Sequence, residues 1–113
     1  MRYLLQITSQ ALTGREADYN RWYEDRHIHD VLALPGFLTC ERFERQFANP
    51  PRATEFVAIY EIDTDDPDAL LTSLFDAAST MQMTDALDPT SPRFEILRPI
   101  GTKRSNSRTK GTP

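Results

Sequence analysis

The sequence predicts an α+β domain of ferredoxin-like type, with elements in the order β-α-β-β-α-β, a four-stranded antiparallel sheet and two helices on one face of it. The observations behind this are short runs rich in β-branched, aromatic and leucine residues, longer segments with helix start signals, and turn residues between them. A chain of 113 residues has room for one domain with one modest core.

Arg2–Thr8 (RYLLQIT) has the length and composition of a first strand. Thr13, Gly14, Arg15 and Glu16 match a capping box, in which the Thr13 hydroxyl accepts from the Glu16 amide and the Glu16 carboxylate accepts from the Thr13 amide, so the first helix is expected to start there. It is expected to end near Leu34, because Pro35 drives the residue before it out of the α region and Gly36 suits a turn. From Gly36 to Phe47 the sequence alternates, placing Phe37, Thr39, Glu41, Phe43, Arg45 and Phe47 on one face of a second strand. Asn49–Thr54 is an open turn, and Glu55–Asp63 (EFVAIYEID) is a third strand.

Asp66 and Pro67 read as the N-cap and first residue of a second helix, whose apolar stripe is Leu70, Leu71, Leu74, Phe75, Ala78 and Met81. Asp88–Pro92 breaks that pattern, and Arg93–Ile100 (RFEILRPI) is the last strand, with Pro99 marking an edge or a terminus. Helices on one sheet face leave the other needing a cover. Phe37, Phe43 and Phe47 make that face apolar, so a homodimer is expected.

Hydrophobic residues at 39% and charged residues at 27% place the chain among ordinary globular proteins. No run approaches the roughly 18 apolar residues of a membrane span, and Met1–Gln6 lacks a secretory core, so no membrane association and a cytoplasmic location are expected. The lone Cys40 reads as a packing residue. Residues 1–100 are expected to form the domain and residues 101–113 (GTKRSNSRTKGTP) a flexible basic tail without an apolar residue. Lys103, Arg104, Arg108 and Lys110 lack an aromatic platform beside them, so nucleic acid is not an expected partner.

The chemistry concentrates in the first helix. Taken as a regular α-helix at about 100° per residue, it puts Tyr19, Trp22, Tyr23, Arg26 and Asp30 within about 140° of His27 on one inward arc, opposite Asp18, Arg21, Asp25 and His29. Aromatic walls interleaved with a few polar groups describe a small-molecule pocket. The competing account is a polar network that ties the helix to a neighbour, its hydroxyls and indole N–H satisfied locally. His27 is the residue able to take and give a proton near neutrality, with Asp30 to orient it and Arg26 or Arg42 to hold an anionic group. His27 and His29 stand about 200° apart, which argues against a shared metal.

The run from Trp22 through His27, Asp30, Val31, Pro35 and Gly36 to Phe37 resembles the dimeric α+β-barrel superfamily, closest to its EthD-like branch. His29 stands where such sequences often carry proline. The resemblance implies two sheets packed face to face, with a cleft in each subunit between helix and sheet. That superfamily holds isomerases, cyclases, cofactor-independent monooxygenases and haem enzymes, so the fold alone does not select a reaction. The expectation drawn here is a cofactor-independent isomerase, lyase or cyclase acting on a small aromatic or lactone-like metabolite, with His27 as general acid/base and Tyr19, Trp22 and Tyr23 walling the substrate. The alternatives are a non-catalytic ligand-binding or accessory homodimer, and a haem-linked monooxygenase with His27 on the iron.

Overall fold

A computed structural model describes residues 1–106. Strands β1 (Arg2–Ser9), β2 (Phe37–Glu44), β3 (Phe56–Asp63) and β4 (Arg93–Leu97) form one antiparallel sheet in the order β2-β3-β1-β4. The first helix, α1, has three parts: α-helical Glu16–Trp22, π-helical Tyr23–His27 and α-helical Ile28–Leu32. The second, α2, spans Pro67–Ala78. The expected ferredoxin-like order is the observed one.

One core lies between the helices and the sheet, and strand alternation builds it. Leu5 and Ile7 of β1 and Phe56, Ala58, Tyr60 and Ile62 of β3 meet Tyr19, Tyr23 and Val31 of α1 and Leu74 of α2. Residues between these on each strand point to the opposite, open face of the sheet.

In three places the local structure departs from the sequence reading. Thr13 does not cap α1. Gly14 takes a left-handed φ of +82°, the Arg15 amide closes a turn on the Leu12 carbonyl at 2.9 Å, and the helix begins only at Glu16. The Glu16 carboxylate does reach back, but to the Gly14 amide at 3.3 Å. The second departure is in β2, where a bulge between Phe37 and Thr39 shifts the register. It turns Phe37 into the core at 6% exposure, so the open face keeps Phe43 but not Phe37, and Phe47 lies past the strand end. Finally, α2 stops at Ala78 and β4 at Leu97, both short of the expected ends.

Other signals are realised as written. The Asp66 carboxylate accepts from the Ala69 amide at 3.0 Å and caps α2. Gly36 has φ +89°, and a Cβ there would stand 3.1 Å from Leu70 Cδ1 and 3.2 Å from the Asp63 carbonyl. The segment between α2 and β4 is tied to the β1–α1 connection: the Leu12 amide donates to the Ala86 carbonyl at 2.8 Å, the Asp88 amide to the Gln10 carbonyl at 2.9 Å, and the Gln10 amide to Ser91 Oγ at 2.9 Å. It thereby becomes a wall of the cleft described below.

Among the described residues no helix is long and apolar enough to cross a membrane. Of the expected tail, Gly101–Asn106 is exposed and without regular structure, and Arg108 and Lys110 lie outside the described residues. Because the exposed part offers the core nothing apolar, ending the chain after Ile100 is expected to leave the melting temperature within about 1 °C of the full chain. A loss of several degrees in a thermal melt would show that the tail docks on the domain.

Candidate active site

The π turn of α1 organises the site. The Ile28 amide donates to the carbonyl of Tyr23, five residues back, so one turn holds an extra residue. In an α-helix, side chains five apart diverge by about 140°. Here Trp22 and His27, five apart, lie one above the other, ring centroids 4.4 Å apart and planes 21° from parallel, and the edge of Tyr23 closes on the imidazole at 4.9 Å. The aromatic arc around His27 is therefore real, with a different geometry from a regular helix.

These rings face a cleft between the helices and the sheet that holds about 540 Å³ of space, its open mouth included. Tyr19, Trp22, Tyr23, His27 and Val31 form one wall, Ile7, Ser9 and Phe94 the floor, Leu74, Phe75 and Ala78 of α2 the opposite wall, and Met83, Leu87 and Pro92 the rim. The sequence reading missed floor, opposite wall and rim. Ser9 carried a signal: it is the polar residue in the inward series Leu5, Ile7, Ser9. Phe75 and Phe94, in an edge-to-face pair at 4.9 Å, were read only as helix stripe and strand.

Nearly every polar group on the cleft wall is already engaged. The Tyr19 hydroxyl shares a short buried hydrogen bond with Ser9 Oγ, and Tyr23 and Tyr60 hydroxyls bond each other at 2.8 Å. The Trp22 indole N–H donates to the Gln82 carbonyl at 2.9 Å. Burial pushes all three tyrosines up, Tyr23 and Tyr60 far above the ordinary phenol range, so they stay protonated. His27 is the exception. Its Nδ1 is buried without a hydrogen-bond partner, and desolvation lowers its pKa to about 4 against a smaller upward pull from Asp30. The cleft wall thus includes a neutral imidazole whose buried Nδ1 has no hydrogen-bond partner, among neighbours whose polar groups are engaged.

The remaining expected site residues fall elsewhere. Arg26 is exposed and pairs along the helix with Asp30 at 3.0 Å, because the π turn rotates it out of the inward arc. Asp30 is engaged by that pair and acts on His27 through charge. Arg42 lies behind α1, away from the cleft: its guanidinium donates to Glu24 at 2.8 Å and Asn20 at 2.7 Å and covers the Tyr23 ring at 4.4 Å. With those bonds made, Arg42 holds the helix to β2. His29 is exposed on the far side, and among the described residues no three of His, Cys, Asp or Glu converge.

Haem does not fit these residues. No lysine or arginine lines the cleft to meet the propionates.

No family model matches the sequence, and no curated protein matches it. Among solved structures the chain is similar to a protein proposed to be an antibiotic biosynthesis monooxygenase from Bacillus cereus, with TM-score 0.58 and 9% identity over 94% of this chain and 98% of that one. It is similar to the ActVA-Orf6 monooxygenase of Streptomyces coelicolor, solved with nanaomycin D, at TM-score 0.55 and 13% identity over 92% of each chain. A proposed monooxygenase of Shewanella loihica follows, at TM-score 0.51 and 16% identity over 90% of this chain and 99% of that one. These are ferredoxin-like α+β proteins of the dimeric α+β-barrel superfamily, and at such identity the likeness is one of fold. They overturn the expected isomerase, lyase or cyclase: the neighbours are described as monooxygenases.

The desolvated imidazole makes stability depend on pH. Its folded pKa, about 4, lies below the unfolded value near 6.5, so the unfolded chain binds more protons between them. Stability is expected to be complete above about pH 6.5 and to fall as pH drops towards 4, by on the order of 1–3 kcal/mol after allowance for the part of the ring open to the cleft. Denaturant titrations of wild type and His27→Gln across that window check this, since the variant should lack the slope.

Proposed function

We propose that the protein is a monooxygenase-type enzyme that oxidises a hydroxylated aromatic small molecule in the His27 cleft. The observation that carries this is the unengaged, neutral imidazole in a wall of aromatic rings whose other polar groups are satisfied. A flat aromatic substrate lies against Trp22, Tyr19 and Tyr23, and its phenolic O–H donates to His27. Proton transfer to the imidazole leaves an electron-rich phenolate, and the charge of Asp30 favours the imidazolium that forms. Such a substrate can supply all the electrons itself: a benzylic CH₂ and O₂ give C=O and H₂O, with one oxygen atom kept and one leaving with both hydrogens.

Two further parts belong to this reading. The likeness of Trp22–Phe37 supports a place near the EthD-like branch, and a half-buried, unpaired Cys40 is in keeping with a cytoplasmic location. The open sheet face, with Phe43 and Leu97 each 44% exposed beside Leu4, Val57 and Ile59, supports a homodimer that closes two sheets on one another.

With a dihydroxyanthrone as probe, oxygen uptake above the uncatalysed rate and one atom of ¹⁸O₂ in the quinone are expected. His27→Ala should lower the rate by about 100-fold or more with fold intact, and the exposed His29→Ala should leave it within about twofold. Equal effects of the two changes, or a loss of about 1–3 kcal/mol in stability with no specific rate deficit, would instead make His27 a packing residue. For assembly, light scattering at micromolar concentration should give twice the 13.0 kDa chain mass. A value near 13.0 kDa would remove the dimer.

A further inference from the structure

Resting on the cleft reading above, we infer that Ser9 is a second anchoring residue, whose hydroxyl donates to a carbonyl oxygen of the guest at the Tyr19 end of the cleft, and that the substrate is therefore a conjugated hydroxy ketone. The hydrogen count of the buried hydroxyls carries this. Ser9 Oγ and the Tyr19 hydroxyl share one buried hydrogen bond, which uses one of their two hydrogens. Among the described residues neither oxygen has an acceptor for the other hydrogen. The Tyr23–Tyr60 pair differs, because the Cys40 sulfur gives it an outlet: burial pushes that thiol up, and a hydrogen bond from Tyr60 pulls against it. Each hydroxyl of the cleft is engaged, yet the Ser9–Tyr19 pair has one O–H left over.

That hydrogen belongs to Ser9. A phenol is a stronger donor than an alkyl hydroxyl, and the Arg42 guanidinium, with Cζ 5.9 Å from the Tyr19 ring centre, strengthens it further while offering no acceptor of its own. Tyr19 therefore donates to Ser9 Oγ, and the Ser9 hydrogen is the free one. Ser9 is 5% exposed and lines the floor of the cleft beside Ile7, Leu87, Pro92 and Phe94, none of which has a side-chain acceptor. A guest oxygen is the acceptor this end lacks.

Along the helix wall the rings run Tyr19, Trp22, His27, with successive centroids 5.8 and 4.4 Å apart. A flat guest on this row meets the imidazole at one end and the Ser9–Tyr19 pair at the other. In a hydroxyaryl ketone the two oxygens share one π system. As the phenolic proton moves towards His27, the charge it leaves spreads onto the ketone oxygen, where the Ser9 hydrogen bond grows stronger. Acceptor and donor thus work on the same electrons from opposite ends, and Tyr19 is the positioning residue that turns the Ser9 hydrogen outward.

Trp22 is the single tryptophan of the chain and lines the cleft, so its indole N–H resonance in an NMR titration of the full chain reports occupancy. The probes are para-hydroxyacetophenone and para-ethylphenol, alike in shape but for the ketone. Ser9→Ala is expected to weaken the ketone at least about fivefold and to leave ethylphenol within about twofold. Ser9→Thr, which keeps a hydroxyl, and Tyr19→Phe, which keeps the Ser9 hydrogen, should each hold the ketone within about threefold of wild type. Thermal melts identify a variant that fails to fold; Ser9→Cys, whose thiol is a weak donor, then replaces Ser9→Ala with the same loss expected. Equal weakening of both probes by Ser9→Ala would make Ser9 a packing residue and overturn the proposal, and His27→Ala weakening both probes would show that the cleft reading survives that result. Loss of the ketone in Tyr19→Phe but not in Ser9→Ala would make Tyr19 the donor and overturn the assignment to Ser9. A wild-type resonance that neither probe moves would overturn both the Ser9 anchor and the cleft reading beneath it.

Discussion

The stack of Trp22 on His27 through the π turn is the contact on which the site depends. An α-helical continuation would place these rings on different sides of α1. The extra residue in the turn aligns them, and the same displacement sends Arg26 to the surface, where it engages Asp30. A π turn is a poorer helix than the one it replaces, so its surroundings must hold it. They do so from behind, where Arg42 bonds Glu24 and Asn20 and covers Tyr23, and from within, where Tyr23 bonds Tyr60 on β3. Residues well away from the imidazole thus fix its position.

Much of the fold could be read from the sequence because it is written in local terms. Alternation in EFVAIYEID, the Asp66–Pro67 start of α2 and the Pro35–Gly36 stop each depend on residues within a few positions of one another, and each is realised. The bulge in β2 has no such mark: GFLTCERF alternates well enough to hide it, and only pairing with β3 reveals that Phe37 changes face. The capping box failed for a related reason, since the turn at Gly14 answers to where β1 ends and not to the Thr–Glu spacing.

The site was half legible. Tyr19, Trp22, Tyr23 and His27 do converge, because an inward arc of aromatic residues survives a one-residue slip in helical phase. The polar members do not survive it: Arg26, inside the π turn, is carried to the surface and engages Asp30, and the strand face alone does not show the helix that covers Arg42. Floor and rim come from β1, β4 and the segment before β4, whose meeting is a product of the whole topology.

The hydrogen bond from the Trp22 indole to the Gln82 carbonyl joins the two kinds of wall. One side of the cleft is sheet and braced helix; the other is a segment of irregular chain carrying Met83, Leu87 and Pro92. The indole is at once the surface on which the imidazole rests and the hook that holds this irregular segment in place. Any outward displacement of the rim pulls on that hook and so tilts the platform beneath His27. The position of the rim and the seating of the imidazole are thus mechanically linked through a single nitrogen, and a change in the length or stiffness of that irregular segment reaches His27 without touching the helix that carries it.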